Sequence, residues 1–184
     1  MSGDITDAEN RLRLIRQHLL APQGAGLRAD RGTRATEPGA AMRLDVYDHM
    51  AAAVDETVAL AVSLCDDQEP YEKPPTRQVE HVYQWLVDET PHLDEERQQV
   101  RDALIYRHGL EHAILIGESD IIRRHPCPAC VTWGLVWDQH AEQVVCWNRH
   151  CAAVDDDGRP ATWTLAQLAK DHIERKTRRA IRAT

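Results

Sequence analysis

Phenylalanine is absent from the 184 residues, and lysine occurs three times against nineteen arginines. Apolar bulk falls largely to Leu and Trp, and a hydrophobic content of 42% still suffices for a packed core. Abundant Ala and Arg with little Lys points to a GC-rich genome. No stretch approaches 18 uncharged apolar residues, so no membrane-spanning helix is expected. Met1–Asn10 is acidic and lacks an apolar segment, so no secretory leader is expected. Together these absences predict a protein of the reducing cytoplasm, where clustered cysteines mean metal more often than disulfides. Also missing are a phosphate-binding P-loop, GxSxG, HExxH and GxGxxG, which removes the commonest sequence signals of nucleotide, hydrolase and metalloprotease chemistry. There is no internal repeat.

What is present is unevenly charged. The net charge is −8. Residues 44–122 carry eighteen acids against five bases, whereas residues 159–184 carry seven bases against two acids. An acidic middle repels phosphate backbones and a basic C-terminus attracts them. Solvated helix faces would give the same distribution.

Composition and periodicity divide the chain into an N-terminal helix (1–21), a flexible linker (22–43), an acidic helical bundle (44–122), a zinc ribbon (123–163) and a basic C-terminal helix (164–184). Thr6 and Glu9 form a capping box before Leu12, Ile15 and Leu19, which share one helix face. Residues 22–41 hold four Gly and two Pro without apolar periodicity, as in a linker or an arm that orders on binding. Asp45–Cys65 predicts a helix with Val46, Met50, Ala53, Val54, Thr57, Val58, Ala61 and Leu64 on its inner face. Cys65 reads as a lone buried thiol. A third helix is expected from a Thr76 cap, burying Val79, Val82, Tyr83 and Leu86. A fourth is expected from Thr90-Pro91 to His108-Gly109, burying Leu93, Val100 and Leu104. Leu110–Ile116 fits a short helix or a strand, and Ser119–Arg124 a helical turn. The expected fold is mainly α: a small antiparallel bundle with a C-terminal β-hairpin and a terminal helix.

One constellation carries definite chemistry. Cys127-Pro128-Ala129-Cys130 is followed after fifteen residues by Cys146, and after four more by Cys151. Zinc takes four thiolates in a tetrahedron, and two tight turns supplying two each meet that need. Between them, Val131–Trp137 and Gln143–Trp147 are rich in β-branched and aromatic residues around a polar turn at Asp138-Gln139-His140. That pattern predicts a hairpin joining two knuckles, a zinc ribbon holding Zn2+ through Cys127, Cys130, Cys146 and Cys151. His150 and His125 adjoin the knuckles, and either could replace a thiolate. A closed Cys₄ set leaves no open position for water, so the site reads as structural. Downstream, Asp155-Asp156-Asp157-Gly158 signals a turn, Ala161-Thr162-Trp163 could add a third strand, and Thr164–Gln167 is a capping box. The following helix turns Leu165, Leu168, Ala169, His172 and Ile173 inward. Arg175, Lys176, Arg178, Arg179 and Arg182 are its candidate nucleic-acid contacts.

This layout, with Cys127-Pro128-Ala129-Cys130, Cys146, Cys151 and the Trp163-Thr164-Leu165 helix start, resembles small zinc-ribbon proteins encoded by phages of actinobacteria. The specific motif covers only the ribbon. The resemblance implies a phage or prophage protein acting in a host cytoplasm, and it carries over no catalytic residue. Two non-enzymatic functions follow. One is a nucleic-acid-associated regulatory protein, whose Trp133, Trp137 and Trp147 could stack on bases if they are not filling the ribbon. The other is an adaptor or inhibitor that binds a host protein through the acidic bundle. No small-molecule substrate is apparent. Enzyme readings are weaker. Pro126-Cys127-Pro128-Ala129-Cys130 supplies the PCxxC of zinc deaminases without their upstream HxE. Asn148-Arg149-His150, in the second knuckle, lacks the further catalytic His-Asn spacing of His-Asn-His nucleases.

Overall fold

The computed structural model describes residues 44–64, 74, 76–151, 153–154 and 160–182. The expected N-terminal helix, the linker, Cys65 and the Asp155–Gly158 turn lie outside the described residues. The described chain is mainly helical, with a small three-stranded antiparallel sheet near the C-terminal region. Four α-helices are described: α1 (Leu44–Leu64), α2 (Val79–Glu89), α3 (Glu95–Leu115) and α4 (Leu165–Arg182). A 3₁₀ turn spans Ser119–Arg124, and the strands are β1 (Leu135–Asp138), β2 (Gln143–Cys146) and β3 (Thr162–Trp163). Among the described residues, no helix is long and apolar enough to cross a membrane.

Helix α1 buries Val46, Ala53, Val54, Thr57, Ala61 and Leu64, the three- and four-residue spacing of a single face. Helix α2 buries Val79, Val82, Tyr83 and Leu86. Its cap differs from expectation. Gln78 is the cap residue and makes no side-chain cap bond, while the Thr76 hydroxyl accepts from the Gln78 amide at 3.2 Å.

Helix α3 departs further from its pattern. Thr90 closes α2 instead of opening α3, its hydroxyl donating back to the Leu86 carbonyl. Asp94 is the true N-cap, accepting from the Arg97 amide at 2.8 Å. Val100 is exposed, and the helix buries Arg101, His108, Leu110, His112 and Ala113 instead. Nor does α3 stop at Gly109, because Leu110 and Ala113 are buried one turn on and hold the chain helical. It ends at Ile116 and Gly117, whose φ is +91°. There Glu118 N–H bonds to Ala113 O at 2.7 Å and Gly117 N–H to Ile114 O at 3.0 Å, the paired bonds of a Schellman cap.

Two of the buried polar groups of α3, Arg101 and His108, find partners outside the helix. Arg101 donates to Thr90 O and pairs with Asp102. His108 Nε2 lies 3.0 Å from Glu56 Oε2, and His108 Nδ1 lies 2.8 Å from the Tyr83 hydroxyl. A carboxylate only accepts, so Nε2 carries the ring proton and Nδ1 accepts from Tyr83. Arg107 bonds to Glu56, holding that carboxyl down at about 2, and lies 3.2 Å from Glu111. His49 of α1 completes the group, its ring 6.0 Å from His112 and 6.3 Å from His108.

Two apolar clusters meet along α3. One joins Val54, Val79, Val82 and Tyr83, with Ile105 packed against it. The other joins Leu110, Ala113, Ile121, Ile122, Leu135, Val144 and Leu168 with Cys127 and Cys146. The small sheet thus has no core of its own. It is sealed onto the C-terminal half of α3 and the first turns of α4, across the positions at which composition divides the chain.

Burial lowers the proton affinity of His49 and His108, and takes His112 down to about 4. Unfolded imidazoles titrate near 6.5, so below that pH the unfolded chain binds protons that the folded chain refuses. Stability measured by urea denaturation is expected to be level above about pH 7 and to fall steadily between about pH 6.5 and 4. His112 contributes at most roughly 3 kcal/mol to that fall. His112→Gln should make the profile shallower in this window, and an unchanged profile would contradict the burial of a neutral ring.

Candidate metal centre

The first cysteine pair sits on a turn that local bonds define. Val131 N–H closes onto Cys127 O at 3.0 Å, and Cys127 N–H bonds to Thr132 O at 2.9 Å. Between these two bonds Val131 takes a left-handed backbone, with φ of +60°. The second pair straddles the end of β2: Cys146 is the last strand residue, and Cys151 N–H turns back to Asn148 O at 2.9 Å. Strand pairing brings the two turns together. β1 and β2 run antiparallel with Leu135 opposite Cys146, and Trp147 N–H continues the ladder to Gly134 O at 2.9 Å. Asp138 closes the far end, its Oδ1 accepting from His140 N–H and Ala141 N–H. β3 adds to the other edge of β2, with Trp163 opposite Val144.

All four sulfurs converge, every pair lying within 4.8 Å. Cys127 Sγ is 3.8 Å from Cys151 Sγ, and Cys130 Sγ is 3.8 Å from Cys146 Sγ. A disulfide needs sulfurs about 2.05 Å apart, and all four cysteines are free. A tetrahedron with metal–sulfur bonds of about 2.3 Å has edges of about 3.8 Å. The donor set and its spacing therefore fit a single tetrahedral metal ion.

Neither neighbouring histidine belongs to this set. His125 is buried, with Nδ1 3.1 Å from Ile121 O and Nε2 2.7 Å from the Tyr106 hydroxyl. The carbonyl demands a proton on Nδ1, and Nε2 accepts from Tyr106, so both nitrogens are occupied. His150 is exposed, and Cys151 holds the position in the cluster.

The thiols differ in their surroundings. Thr132 Oγ1 lies 2.9 Å from Cys130 Sγ, and Asn148 Nδ2 donates to both Cys130 Sγ and Thr132 Oγ1. The Thr132 hydroxyl is the main cause of a Cys130 thiol lowered to about 6. Burial pushes Cys127 up and takes Cys146 to about 12. Two thiols so resistant to ionisation and a third so ready for it share one small volume, where a cation would favour the thiolate form of each. Sequence reasoning missed Thr132 and weighed Asn148 only as part of Asn148-Arg149-His150, not as a partner of the cysteines. Their signal was a polar residue two positions beyond Cys130 and an Asn within the second turn.

The basic residues of α4 divide into two groups. Arg175 lies inward: Nε is 2.7 Å from Asp171, and Nη2 donates to Cys127 O at 3.3 Å and Pro128 O at 3.1 Å. It fastens α4 to the first cysteine turn. Lys176, Arg178, Arg179 and Arg182 are exposed, with Arg178 3.7 Å from Glu174. The helix starts where expected, in a reciprocal capping box of Thr164 and Gln167, and buries Leu168, Ala169 and Ile173. Of the tryptophans near the cysteines, Trp137 and Trp163 pack against the core, whereas Trp133 and Trp147 are 69% and 80% exposed. The expectation that these rings fill the small module holds for Trp137 alone of the three singled out.

Comparison of the chain with family models, with curated proteins and with solved structures gives no match.

A β-branched residue in the left-handed region is strained by roughly 1–2 kcal/mol. Val131 loses little packing on truncation because it is 59% exposed. Val131→Gly is therefore expected to raise thermal stability of the metal-loaded protein by a few degrees, read by calorimetry. A lower melting temperature would show that the Val131 side chain does structural work at the turn.

Proposed function

We propose that residues 123–163 form a zinc ribbon whose thiolates from Cys127, Cys130, Cys146 and Cys151 hold a structural Zn2+ ion. On this reading the protein is non-enzymatic, a nucleic-acid-associated regulatory protein of phage or prophage type. Four sulfur donors on two turns favour zinc over harder cations, and a closed set leaves no position for a reacting water. The ion's role is to lock the two turns, and with them the position of α4. Arg175 supports that role by tying the helix to the carbonyls of the first turn.

Charge segregation is the single observation that carries the nucleic-acid reading. Arg123–Trp137 and Gln143–Val154 contain no carboxylate, in a chain of net charge −8. Arg124, Arg149, Lys176, Arg179 and Arg182 are exposed on this segment and on α4. The hairpin turn and the segment after the last cysteine carry Asp138, Glu142, Asp155, Asp156 and Asp157, most other acids lie on the bundle, and the basic excess belongs to residues 159–184. A basic end on an acidic body orients the molecule on a polyanion by attraction at one end and repulsion at the other.

A second reading, an adaptor or inhibitor of a host protein, is favoured by α1. Leu44, Tyr47 and Val62 are exposed there beside the exposed acids Asp45, Asp48 and Asp55, a face suited to a basic protein surface.

Elemental analysis of the purified protein is expected to give one zinc per chain. Changing Cys127 and Cys146 to Ser should abolish it and unfold the ribbon. Affinity for nucleic acid should fall steeply with salt, and Arg178→Ala/Arg179→Ala/Arg182→Ala should reduce the salt slope by about 3. Zinc-loaded protein with no affinity for DNA or RNA at low salt would reject the leading reading. Retrieval of one dominant host protein, insensitive to nuclease, would favour the second.

A further inference from the structure

We infer that the cysteine-bearing end binds single-stranded nucleic acid, with bases stacked on the indoles of Trp133 and Trp147. This rests on the nucleic-acid reading above and specifies its ligand. The two rings are the most exposed tryptophans described, at 69% and 80%. Trp137 and Trp163, by contrast, are partly buried against the neighbouring core. Leaving large apolar rings in water beside a packed core is unfavourable unless something covers them.

The backbone brings the two positions to one end of the hairpin. Trp133 pairs with Pro126 just before the first cysteine, and the next residue, Gly134, accepts from Trp147 N–H at 2.9 Å. Asn148 then bonds to Thr132 at 3.2 Å, tying together the residues beside the two tryptophans. The backbone at the two tryptophans is thus braced, each indole offers its own stacking surface, and little chain freedom would be lost on binding. Val131 adds a third exposed apolar side chain, at 59%, in a backbone conformation that glycine would adopt without strain.

Charge selects the occupant. The segments that carry these rings lack carboxylates and present Arg124 and Arg149 to solvent, so they suit a polyanion with apolar faces. Single-stranded nucleic acid has both properties. In a duplex the base faces are already stacked on one another, and an indole cannot reach them without separating the strands. Stacking also tolerates any base, so this surface needs no base-specific hydrogen bonds to hold a single strand.

The test uses full-length, zinc-loaded protein with fluorescent oligo(dT), oligo(rU) and a DNA duplex, titrated at fixed salt. Single strands are expected to bind at least about tenfold more tightly than duplex and to quench tryptophan fluorescence. Trp133→Ala and Trp147→Ala should each weaken single-strand binding about tenfold and leave duplex binding unchanged. Trp→Phe at either position should restore much of the loss. Zinc content and circular dichroism of each variant confirm that the fold is intact, as exposure of both rings leads one to expect. Equal affinity for single strands and duplex, with the Ala variants unaffected, would overturn the stacking inference and leave the nucleic-acid reading standing. Absence of binding to all three probes would overturn both. Loss of a protein partner in the Ala variants, without effect on oligonucleotides, would assign the rings to that partner and reject the inference.

Discussion

Four sulfurs brought within 4.8 Å of one another are the constraint on which this end of the molecule depends. The two turns that carry them are separated by a hairpin with strands of four residues each, too short to be stable alone. Pairing of β1 with β2 sets the register that places the turns side by side. A tetrahedral ion would then convert a proximity into a fixed joint. The sheet's inner face, Leu135 and Val144, closes onto Leu110 and Leu168, so the joint is continuous with the helical core.

That continuity joins the bundle and the cysteine-bearing end through packed side chains. Helix α3 touches both apolar clusters, and α4 is anchored twice, by Leu168 and Ile173 in the core and by Arg175 on the cysteine turn. The ring stack of Tyr106 and His172, with centroids 4.2 Å apart, lies between α3 and α4, and His125 joins it from the segment leading into the first cysteine. A disturbance at the sulfurs would therefore reach α4, and with it the basic surface, through a short set of packed groups.

The bundle presents a different economy. Its centre holds His49, His108, His112, Glu56, Arg107 and Tyr83, joined by bonds between three helices. Such a network is stable only while each member keeps its partners, and one does not: His112 Nε2 is buried without a hydrogen-bond partner. The arrangement specifies how α1, α2 and α3 register against one another, since Tyr83 and Glu56 must meet the two ring nitrogens of one imidazole. It does so at the expense of the tolerance to acid that an all-apolar core would have.

Spacing along the chain was enough to establish the cysteine set, the inner face of α1, the buried positions of α2 and the capping box of α4. Apart from the distance between the two cysteine pairs, each depends on residues within a few positions of one another. It also located the hairpin, because enrichment in β-branched and aromatic residues on either side of a polar turn is a local property. What lay beyond it were outcomes decided by remote partners. Val100 and Leu104 fitted an apolar stripe, yet α3 turns His108 and His112 inward because Glu56 and Tyr83, from other helices, satisfy His108 there. Gly109 resembled a helix end until burial of Leu110 and Ala113 carried the helix past it. Arg175 shared a basic helix with four others, and only the approach of the Cys127 and Pro128 carbonyls separated it from them. Trp133, Trp137 and Trp147 were equivalent as letters, and tertiary packing buried one ring in part and left two in water. Local order is written in neighbouring residues, whereas burial and exposure depend on which distant segment arrives to cover a side chain.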